Sequence, residues 1–156
     1  MRIGYGFDAH RLVKGRTLIL GGLQIENDFG ALGHSDADAL AHAVSDALLG
    51  AAALGDLGER YPASDARWKN ADSMELLAQC AAEVKRAGYR IANIDATIVL
   101  ENPKLAPHVG RMRENLARRL ELSLAQVSVK AKSSEGLGYT GDGTGIAVSA
   151  VALLEE

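Results

Sequence analysis

Apolar residues recur along this chain at two different periods, and the change of period separates predicted strands from predicted helices. A period of two residues, with apolar and polar positions alternating, is typical of a strand with one buried face. The segments with this pattern are residues 2–7, 90–100, 127–131 and 145–154. Two short apolar runs, 17–20 and 23–25, flank Gly21-Gly22 and predict a hairpin with a two-residue turn.

Three other segments repeat their apolar residues every three to four positions and predict helices. They run from Ser35 to about Leu54, from Asp72 to Gly88 and onward from Pro107. Ser35 and Asp38 form a capping-box pattern, so we expect the first helix to begin at Ser35. Strands and helices alternate, and the predicted fold class is therefore α/β or α+β, one sheet covered by helices. Residues 1–156 contain no linker-like segment, and we expect a single domain.

Composition excludes several classes of protein. A chain of 156 residues that is 47% hydrophobic is large enough for one ordinary core. Its net charge of −3 argues against a nucleic-acid partner, since such binding depends on neutralising phosphates. No apolar run reaches membrane-spanning length, and no signal peptide precedes the first strand, so we expect a cytoplasmic protein. The single cysteine, Cys80, lies among apolar residues and is interpreted as a buried core residue.

Metal-ligand residue types occur at two places in the sequence. Asp8 and His10 are two residues apart in a predicted strand and therefore point to the same face. His42 lies in the first predicted helix. One carboxylate and two imidazoles with an open fourth position form a ligand set typical of catalytic zinc, whose open position usually activates a water molecule.

The helix around His42 carries further polar residues. At about 100° per residue, Asp38, His42 and Asp46 fall along one line of the helix surface. A metal-bound histidine usually has its second ring nitrogen held by such a carboxylate, so this line favours a metal site. The alternative is a solvated helix face that happens to include a histidine.

Two glycine-rich polar loops follow predicted elements. They are residues 53–58, after the His42 helix, and residues 132–138, after a strand. Small residues let backbone N–H groups approach an anion, and hydroxyl groups and lysine add further donors. Glu135 is out of place in a bare phosphate site, but it fits one in which a hard cation such as Mg²⁺ bridges carboxylate and phosphate. Neither loop matches a standard nucleotide-binding motif, and ordinary turns remain an alternative.

Taken together, these segments resemble the 2-C-methyl-D-erythritol 2,4-cyclodiphosphate synthase family of the non-mevalonate isoprenoid pathway. The resemblance extends from residue 1 to about 154. The segments that carry it are residues 4–10, 34–38, His42, 45–58, 71–73, 103–104, 129–131, 135–138 and 140–141.

The resemblance implies a fold, an assembly and a reaction. Each subunit would be an α+β sandwich with one mixed β-sheet covered by helices, assembled as a homotrimer with active sites between subunits. The family converts 4-diphosphocytidyl-2-C-methyl-D-erythritol 2-phosphate to the 2,4-cyclodiphosphate by intramolecular phosphoryl transfer. The 2-phosphate oxygen attacks the β-phosphorus, and CMP leaves. A substrate phosphate oxygen, not water, would then occupy the open zinc position.

The resemblance also implies roles for individual residues. Zinc would bind Asp8, His10 and His42, and Glu135 would help hold Mg²⁺ or Mn²⁺ with the substrate. His34 and Ser133 match the positions assigned to transition-state stabilisation. Substrate-binding residues in the first half of the chain would be Asp8, His10, His34, Ser35, Asp56, Gly58, Tyr61, Ser64 and Asp65. Those in the second half, from the neighbouring subunit, would be Leu100, Pro103, Lys104, Leu105, Ala106, Lys132, Ser133, Ser134, Glu135, Tyr139 and Asp142.

Two residues depart from the family pattern in a way that affects charge. Asp142 stands where many relatives have arginine, and Ser149 replaces a frequent glutamate. In relatives these side chains line a channel on the trimer axis that is proposed to hold isoprenoid diphosphates. We therefore predict weak binding of such anions on the axis of this protein.

Two other functions are compatible with the same ligand trio. One is a metal-dependent phosphohydrolase acting on a nucleoside diphosphate conjugate, with water as the nucleophile and inorganic phosphate as product. The other is a non-catalytic, trimeric metal- and nucleotide-binding module. It would be expected to lack a zinc ligand or Glu135, and this chain has all four residues.

Overall fold

The computed structural model describes residues 1–156 as seven strands and five α-helices. The strands are β1 (Arg2–Lys14), β2 (Leu18–Leu20), β3 (Leu23–Ile25), β4 (Phe29–Ala31), β5 (Arg90–Val99), β6 (Val127–Lys132) and β7 (Gly145–Glu155). The helices are α1 (Ala39–Ala51), α2 (Leu57–Arg60), α3 (Ser73–Arg86), α4 (Val109–Arg119) and α5 (Gly138–Gly141). None of these helices combines the length and the apolar character that crossing a membrane requires.

Five strands form the main sheet in the order β4-β1-β7-β5-β6. The pair β5 and β6 is parallel and the other pairs are antiparallel, so the sheet is mixed. The predicted α+β class with helices covering one sheet is confirmed. The predicted hairpin forms a separate ribbon of β2 and β3, and Gly21 and Gly22 make its turn at positive φ angles of 58° and 65°. Glycine has no Cβ penalty in that conformation.

Helix α1 lies directly on the centre of the sheet. The even-numbered residues of β1 and β7 face the helices. Side chains on almost every side of α1 are buried. Gly4 and Gly6 allow the close approach of β1 and α1. A Cβ atom at Gly4 would lie 1.9 Å from the Ala47 carbonyl oxygen, and one at Gly6 would lie 2.0 Å from that of Ala43. Any larger residue would push the helix away from the strand.

The opposite face of the sheet is not covered by any element of the same chain. Ile3, Tyr5 and Phe7 of β1 are 74%, 62% and 50% exposed there, and Val151 of β7 is 41% exposed. Tyr5 is paired with Val151 in the sheet register, so these side chains form one patch. Large exposed apolar patches usually mark an interaction surface.

The start of α1 differs from the sequence prediction. Helix α1 begins at Ala39 with Asp38 as its N-cap, four residues later than the predicted Ser35. The Asp38 carboxylate accepts N–H groups of Leu40 and Ala41 and, in addition, those of Gly21 and Gly22 in the β2–β3 turn. A capping-box motif describes only contacts local in sequence, so it could not identify a cap that also serves a distant turn.

The other predicted elements agree more closely with the structure. Strand β1 is longer than predicted, because it continues to Lys14 alongside β4 after passing β7. Asp72 caps α3 as predicted, and Gly88 follows its last turn with a φ of 90°. The predicted buried face of β5 is confirmed, since Ile94, Ala96 and Ile98 are at most 1% exposed.

Candidate metal centre and substrate cavity

Asp8, His10 and His42 converge at the junction of β1 and α1. The Asp8 Oδ2 atom lies 2.8 Å from His10 Nε2 and 2.9 Å from His42 Nδ1. One ligand atom from each residue fits within 4.8 Å of the others. The predicted convergence is confirmed, because the close contact of β1 and α1 places His42 above the face of β1 that carries the other two residues.

Partial burial and mutual contact set the charges of this trio. Burial raises the pKa of Asp8, but the hydrogen bonds and charges of His10 and His42 outweigh it and hold the pKa below its ordinary value. Burial lowers the pKa of His10. The hydrogen bond to Asp8 and the negative charge of Asp8 raise that pKa by more, so it lies above its ordinary value. The shifts of Asp8 and His10 both favour the charged form of the side chain. The site therefore has a negative carboxylate that lies between two histidine rings.

The ring nitrogens that point away from Asp8 are also bonded. His10 Nδ1 donates to the Leu32 carbonyl oxygen at 2.9 Å. His42 Nε2 lies 2.8 Å from the Ser73 hydroxyl oxygen. Metal-binding histidines in proteins are commonly held in this way, with one nitrogen on the metal and the other on an oxygen. The donor set and its outer bonds therefore fit a divalent cation such as zinc.

Neither carboxylate predicted to flank His42 contacts it. Asp38 is fully buried at the start of α1 and its oxygens accept backbone N–H groups. Asp46 accepts the N–H of Leu57 at 2.8 Å, and burial raises its pKa. The prediction that Asp38 or Asp46 holds the second ring nitrogen of His42 was wrong, because these acids accept backbone N–H groups and Ser73 contacts that nitrogen. The alternative of a solvated helix face was also wrong, because α1 is packed on most of its surface.

A cavity of about 190 Å³ opens beside the metal ligands. Its lining residues are His10, His34, Ser35, His42, Leu57, Gly58, Tyr61, Ala63, Trp68 and Leu76. Six of these were predicted by name from the sequence as ligand or substrate residues, and Ala63 lies within the predicted segment from Tyr61 to Asp65. Leu57, Trp68 and Leu76 were not predicted, because apolar side chains carry no chemical signature that distinguishes a cavity wall from the core. Tyr61 and Trp68 pack edge to face with ring centroids 4.9 Å apart.

Other predicted residues of the first half lie at the edge of this cavity or support it. His34 Nε2 donates to the Asp65 carbonyl oxygen at 3.2 Å, while the Asp65 carboxylate is paired with Arg67. Asp56 caps α2 by accepting the N–H of Glu59 at 2.8 Å. Ser64 is exposed on the turn between Tyr61 and Asp65.

The predicted residues of the second half form a separate group where the parallel strands β5 and β6 end. The Leu100 N–H donates to the Lys132 carbonyl oxygen at 3.0 Å, which brings residues 100–106 and 132–135 side by side. The Ser133 hydroxyl donates to Glu101 at 2.9 Å, and Lys104 Nζ lies 3.8 Å from the same carboxylate. Glu135 is exposed with a φ of 54°.

The two groups are not adjacent within one chain. Asp8 pairs with Val148, Val148 with Ile98, and Ile98 with Ala131, so three strand spacings, about 14 Å, separate β1 from β6. None of residues 100–106 or 132–135 lines the 190 Å³ cavity. Tyr139 instead lines a different cavity, of about 380 Å³, against Ala9, His10 and Arg11.

The fold and the site together define a class of protein. It is an α+β protein with a carboxylate and two histidines that converge at a strand–helix contact, beside a cavity suited to a small molecule. Comparison with known proteins narrows this class. The sequence profile of the YgbB family matches residues 1–155. The chain belongs to the YgbB family.

Curated relatives and solved structures agree with this membership. A 2-C-methyl-D-erythritol 2,4-cyclodiphosphate synthase from Syntrophomonas wolfei is 53% identical over 156 residues, which cover 100% of this chain and 99% of that protein. The enzyme of the same name from Salinibacter ruber is 56% identical over 155 residues, 99% of each chain. These comparisons confirm both the family and the enzymatic class predicted from the sequence.

Two solved structures are similar over nearly the whole chain. The structure of a 2C-methyl-D-erythritol-2,4-cyclodiphosphate synthase with bound CDP has a TM-score of 0.91 at 40% identity, covering 99% of this chain and 100% of that chain. The bifunctional IspDF of Campylobacter jejuni has a TM-score of 0.95 at 43% identity. It aligns with 98% of this chain, which spans 42% of the bifunctional protein.

Proposed function

We propose that this protein converts 4-diphosphocytidyl-2-C-methyl-D-erythritol 2-phosphate to 2-C-methyl-D-erythritol 2,4-cyclodiphosphate and CMP. In this reaction a 2-phosphate oxygen forms a bond to the β-phosphorus, and the bond from that phosphorus to the CMP oxygen breaks. The observation that carries the proposal is the convergence of Asp8, His10 and His42 beside a cavity, in a chain more than half identical to synthases of this name.

The residues of the metal centre suit this chemistry. Intramolecular phosphoryl transfer needs positioning and charge neutralisation more than a covalent nucleophile. We propose that Asp8, His10 and His42 hold Zn²⁺ and that Glu135 helps hold Mg²⁺ or Mn²⁺ with the substrate. The bound cations would supply Lewis-acid stabilisation of the charge on the β-phosphate and on the departing CMP. In that arrangement a chain with net charge −3 can bind a polyanionic substrate.

The 190 Å³ cavity is the proposed site for the methylerythritol portion of the substrate. His34 and Ser35 supply polar atoms in its wall, and Tyr61 and Trp68 supply aromatic surface for the methyl-bearing carbon chain. His34, held by the Asp65 carbonyl oxygen, would direct its other nitrogen toward the transferring phosphate. Asp56, Gly58, Ser64 and Asp65 complete the proposed set on this side.

The remaining half of the site is proposed to come from a neighbouring subunit of a homotrimer. Within one chain, residues 100–106 and 132–135 do not line the cavity beside the metal ligands. The exposed Ile3, Tyr5 and Phe7 patch provides an apolar surface that a second copy could bury. We assign the cytidine pocket to Leu100, Pro103, Lys104, Leu105, Ala106, Lys132, Ser133, Ser134, Glu135, Tyr139 and Asp142, with Ser133 as a stabiliser of the transition state.

We also propose that residues 1–156 form a single domain that works in the cytoplasm. Thirty-five buried residues drawn from the strands and helices of the whole chain form one continuous hydrophobic core. Cys80 is a free, buried thiol, which is typical of proteins from a reducing compartment.

Phosphorus NMR of the purified protein with the cytidyl substrate tests the reaction. Metal-replete protein should form the cyclic diphosphate and CMP, and protein treated with chelator should form neither. The alternative phosphohydrolase would release inorganic phosphate and leave no cyclic product. Absence of the cyclic diphosphate under metal-replete conditions would overturn the proposed function.

A further inference from the structure

We propose that Ser73 and Asp36 act as positioning residues that fix the ring of His42 for metal binding. This inference rests on the proposed metal site and extends it by a hydrogen-bonded chain that begins on the far side of the ring. His42 Nε2 contacts the Ser73 hydroxyl at 2.8 Å, and that hydroxyl contacts an oxygen of Asp36. Ser73 is only 1% exposed, so water cannot readily replace its hydroxyl group.

Proton counting fixes the direction of both bonds. An ionised carboxylate only accepts hydrogen bonds, so the single hydroxyl proton of Ser73 goes to Asp36. The Ser73 oxygen then offers a lone pair, and His42 Nε2 must donate its N–H to that lone pair. When a metal occupies Nδ1, the ring therefore keeps its proton on Nε2 and donates it to Ser73. Nδ1, which lies 2.9 Å from Asp8 Oδ2, is the nitrogen that faces the expected metal position.

Asp36 holds Ser73 at two points. Its Oδ2 atom accepts the backbone N–H of Ser73 at 3.1 Å, while its Oδ1 atom accepts the side-chain hydroxyl. Ser73 is the first residue of α3, where backbone N–H groups have no partner inside the helix. The carboxylate thus anchors the start of α3, and α3 presents the hydroxyl to the ring at a fixed place.

Ser35 occupies a weaker position in the same cluster. Its hydroxyl oxygen lies 3.2 Å from His42 Nε2 and 3.3 Å from the Ser73 oxygen, and it accepts the N–H of Ala37 at 3.2 Å. The hydrogen bond from His42 Nε2 to Ser73 is shorter than the contact from His42 Nε2 to Ser35. Only the Ser73 hydroxyl in turn donates to a carboxylate, that of Asp36. Ser73 is therefore the residue whose loss should release the ring.

The test is zinc affinity, measured by competition with a chromogenic chelator on the full-length protein. Ser73→Ala should weaken zinc binding by about 10- to 100-fold, the range for lost outer partners of metal ligands. Ser73→Thr, which keeps the hydroxyl, should recover much of the affinity. Ser45→Ala is the matched control, because Ser45 is equally buried on α1 but its hydroxyl donates to the Ala41 carbonyl oxygen and not to a metal ligand or its partner. Its zinc affinity should equal that of the unchanged protein.

A spectroscopic measurement separates positioning from simple destabilisation. The visible spectrum of the Co²⁺-loaded protein should change in Ser73→Ala and stay unchanged in Ser45→Ala. Asp36→Asn, which retains the size of the side chain, provides a second variant if Ser73→Ala does not fold. Unchanged zinc affinity in Ser73→Ala, or an equal loss in Ser45→Ala, would overturn the inference. Failure of the unchanged protein to bind zinc would instead contradict the proposed metal site.

Discussion

A single carboxylate oxygen holds the two histidines of the metal centre together. Asp8 Oδ2 contacts both His10 and His42, at 2.8 and 2.9 Å. The remaining bonds of the two rings differ, because His10 donates to a backbone carbonyl and His42 to a side-chain hydroxyl. A backbone partner survives any substitution at Leu32, whereas the partner of His42 depends on the identity of Ser73.

Replacing His42 should empty the metal centre. His42→Ala removes one of three proposed ligands, so we expect loss of bound zinc and turnover below detection, with the proposed trimer intact. Metal analysis after dialysis and phosphorus NMR measure the two effects. His108→Ala provides the control, since it removes the one histidine that is neither a ligand nor part of the cavity wall, and its zinc content should not change. Unchanged zinc content in His42→Ala would contradict the ligand assignment.

Cys80 should be chemically inert in the folded protein. Burial raises the pKa of its thiol from the ordinary value of 9.0 to about 11. At pH 8 the folded protein should contain about 90-fold less thiolate than the unfolded chain. Iodoacetamide at that pH should therefore label the protein in denaturant rapidly and the native protein very slowly. Rapid labelling of the native protein would contradict the burial of the Cys80 thiol.

At the scale of elements, the contact between β1 and α1 builds the metal centre. A Cβ atom at residue 6 would lie 2.0 Å from the Ala43 carbonyl oxygen, one residue beyond His42. Gly6→Ala should force α1 away from β1, lowering the free energy of unfolding by about 3 kcal/mol, as overpacking does, and separating His42 from Asp8. Urea denaturation and zinc titration measure these effects.

Gly110→Ala is the matched control for that substitution. Gly110 lies in α4, and a Cβ atom there would have no neighbour within 4 Å. The free energy of unfolding of the Gly110→Ala protein should stay unchanged or rise by about 0.5 kcal/mol, because alanine lowers the conformational entropy of the unfolded chain. Zinc affinity in Gly110→Ala should not change. If Gly6→Ala bound zinc normally, the glycine would not be what brings the ligands together.

At the scale of the whole molecule, the uncovered sheet face should determine assembly. We expect a sedimentation mass of three times 16.4 kDa for the unchanged protein. Tyr5→Asp places a charge in the apolar patch and should yield monomers without turnover, since the cytidine half of the site is proposed to lie on a neighbour. Leu124→Asp is the control, because Leu124 is 47% exposed on the turn before β6. A fully active Tyr5→Asp monomer would refute the shared site.

The axis of the proposed trimer gives a second prediction at this scale. Ser149 lies on the uncovered sheet face, 3.3 Å from the Tyr5 hydroxyl oxygen. Hydrogen bonds from Thr144 hold the pKa of Asp142 below its ordinary value, so its carboxylate stays charged. We therefore expect weak binding of geranyl diphosphate in a calorimetric titration, and tighter binding by Asp142→Arg. Tight binding by the unchanged protein would contradict this prediction.

Much of the fold was predictable, because the hydrophobic period is a local property. The buried face of β5 and the glycine turn of the hairpin followed directly from the sequence. The start of α1 did not, because Asp38 caps this helix and the β2–β3 turn together. That second partner is 16 to 17 residues away, beyond the range of a capping motif.

The sequence alone determined which residues can hold a metal, since ligand chemistry belongs to the side chain and the spacing of Asp8 and His10 places both on one face. Tertiary structure decided what surrounds them. Trp68 lines the cavity, and Ser73 contacts His42 although the two residues are 31 positions apart in the sequence. Both contacts exist because α3 packs against α1. The sheet order likewise separated residues 132–135 from the metal centre. Contacts between distant segments depend on how faces pack, and no local pattern encodes them.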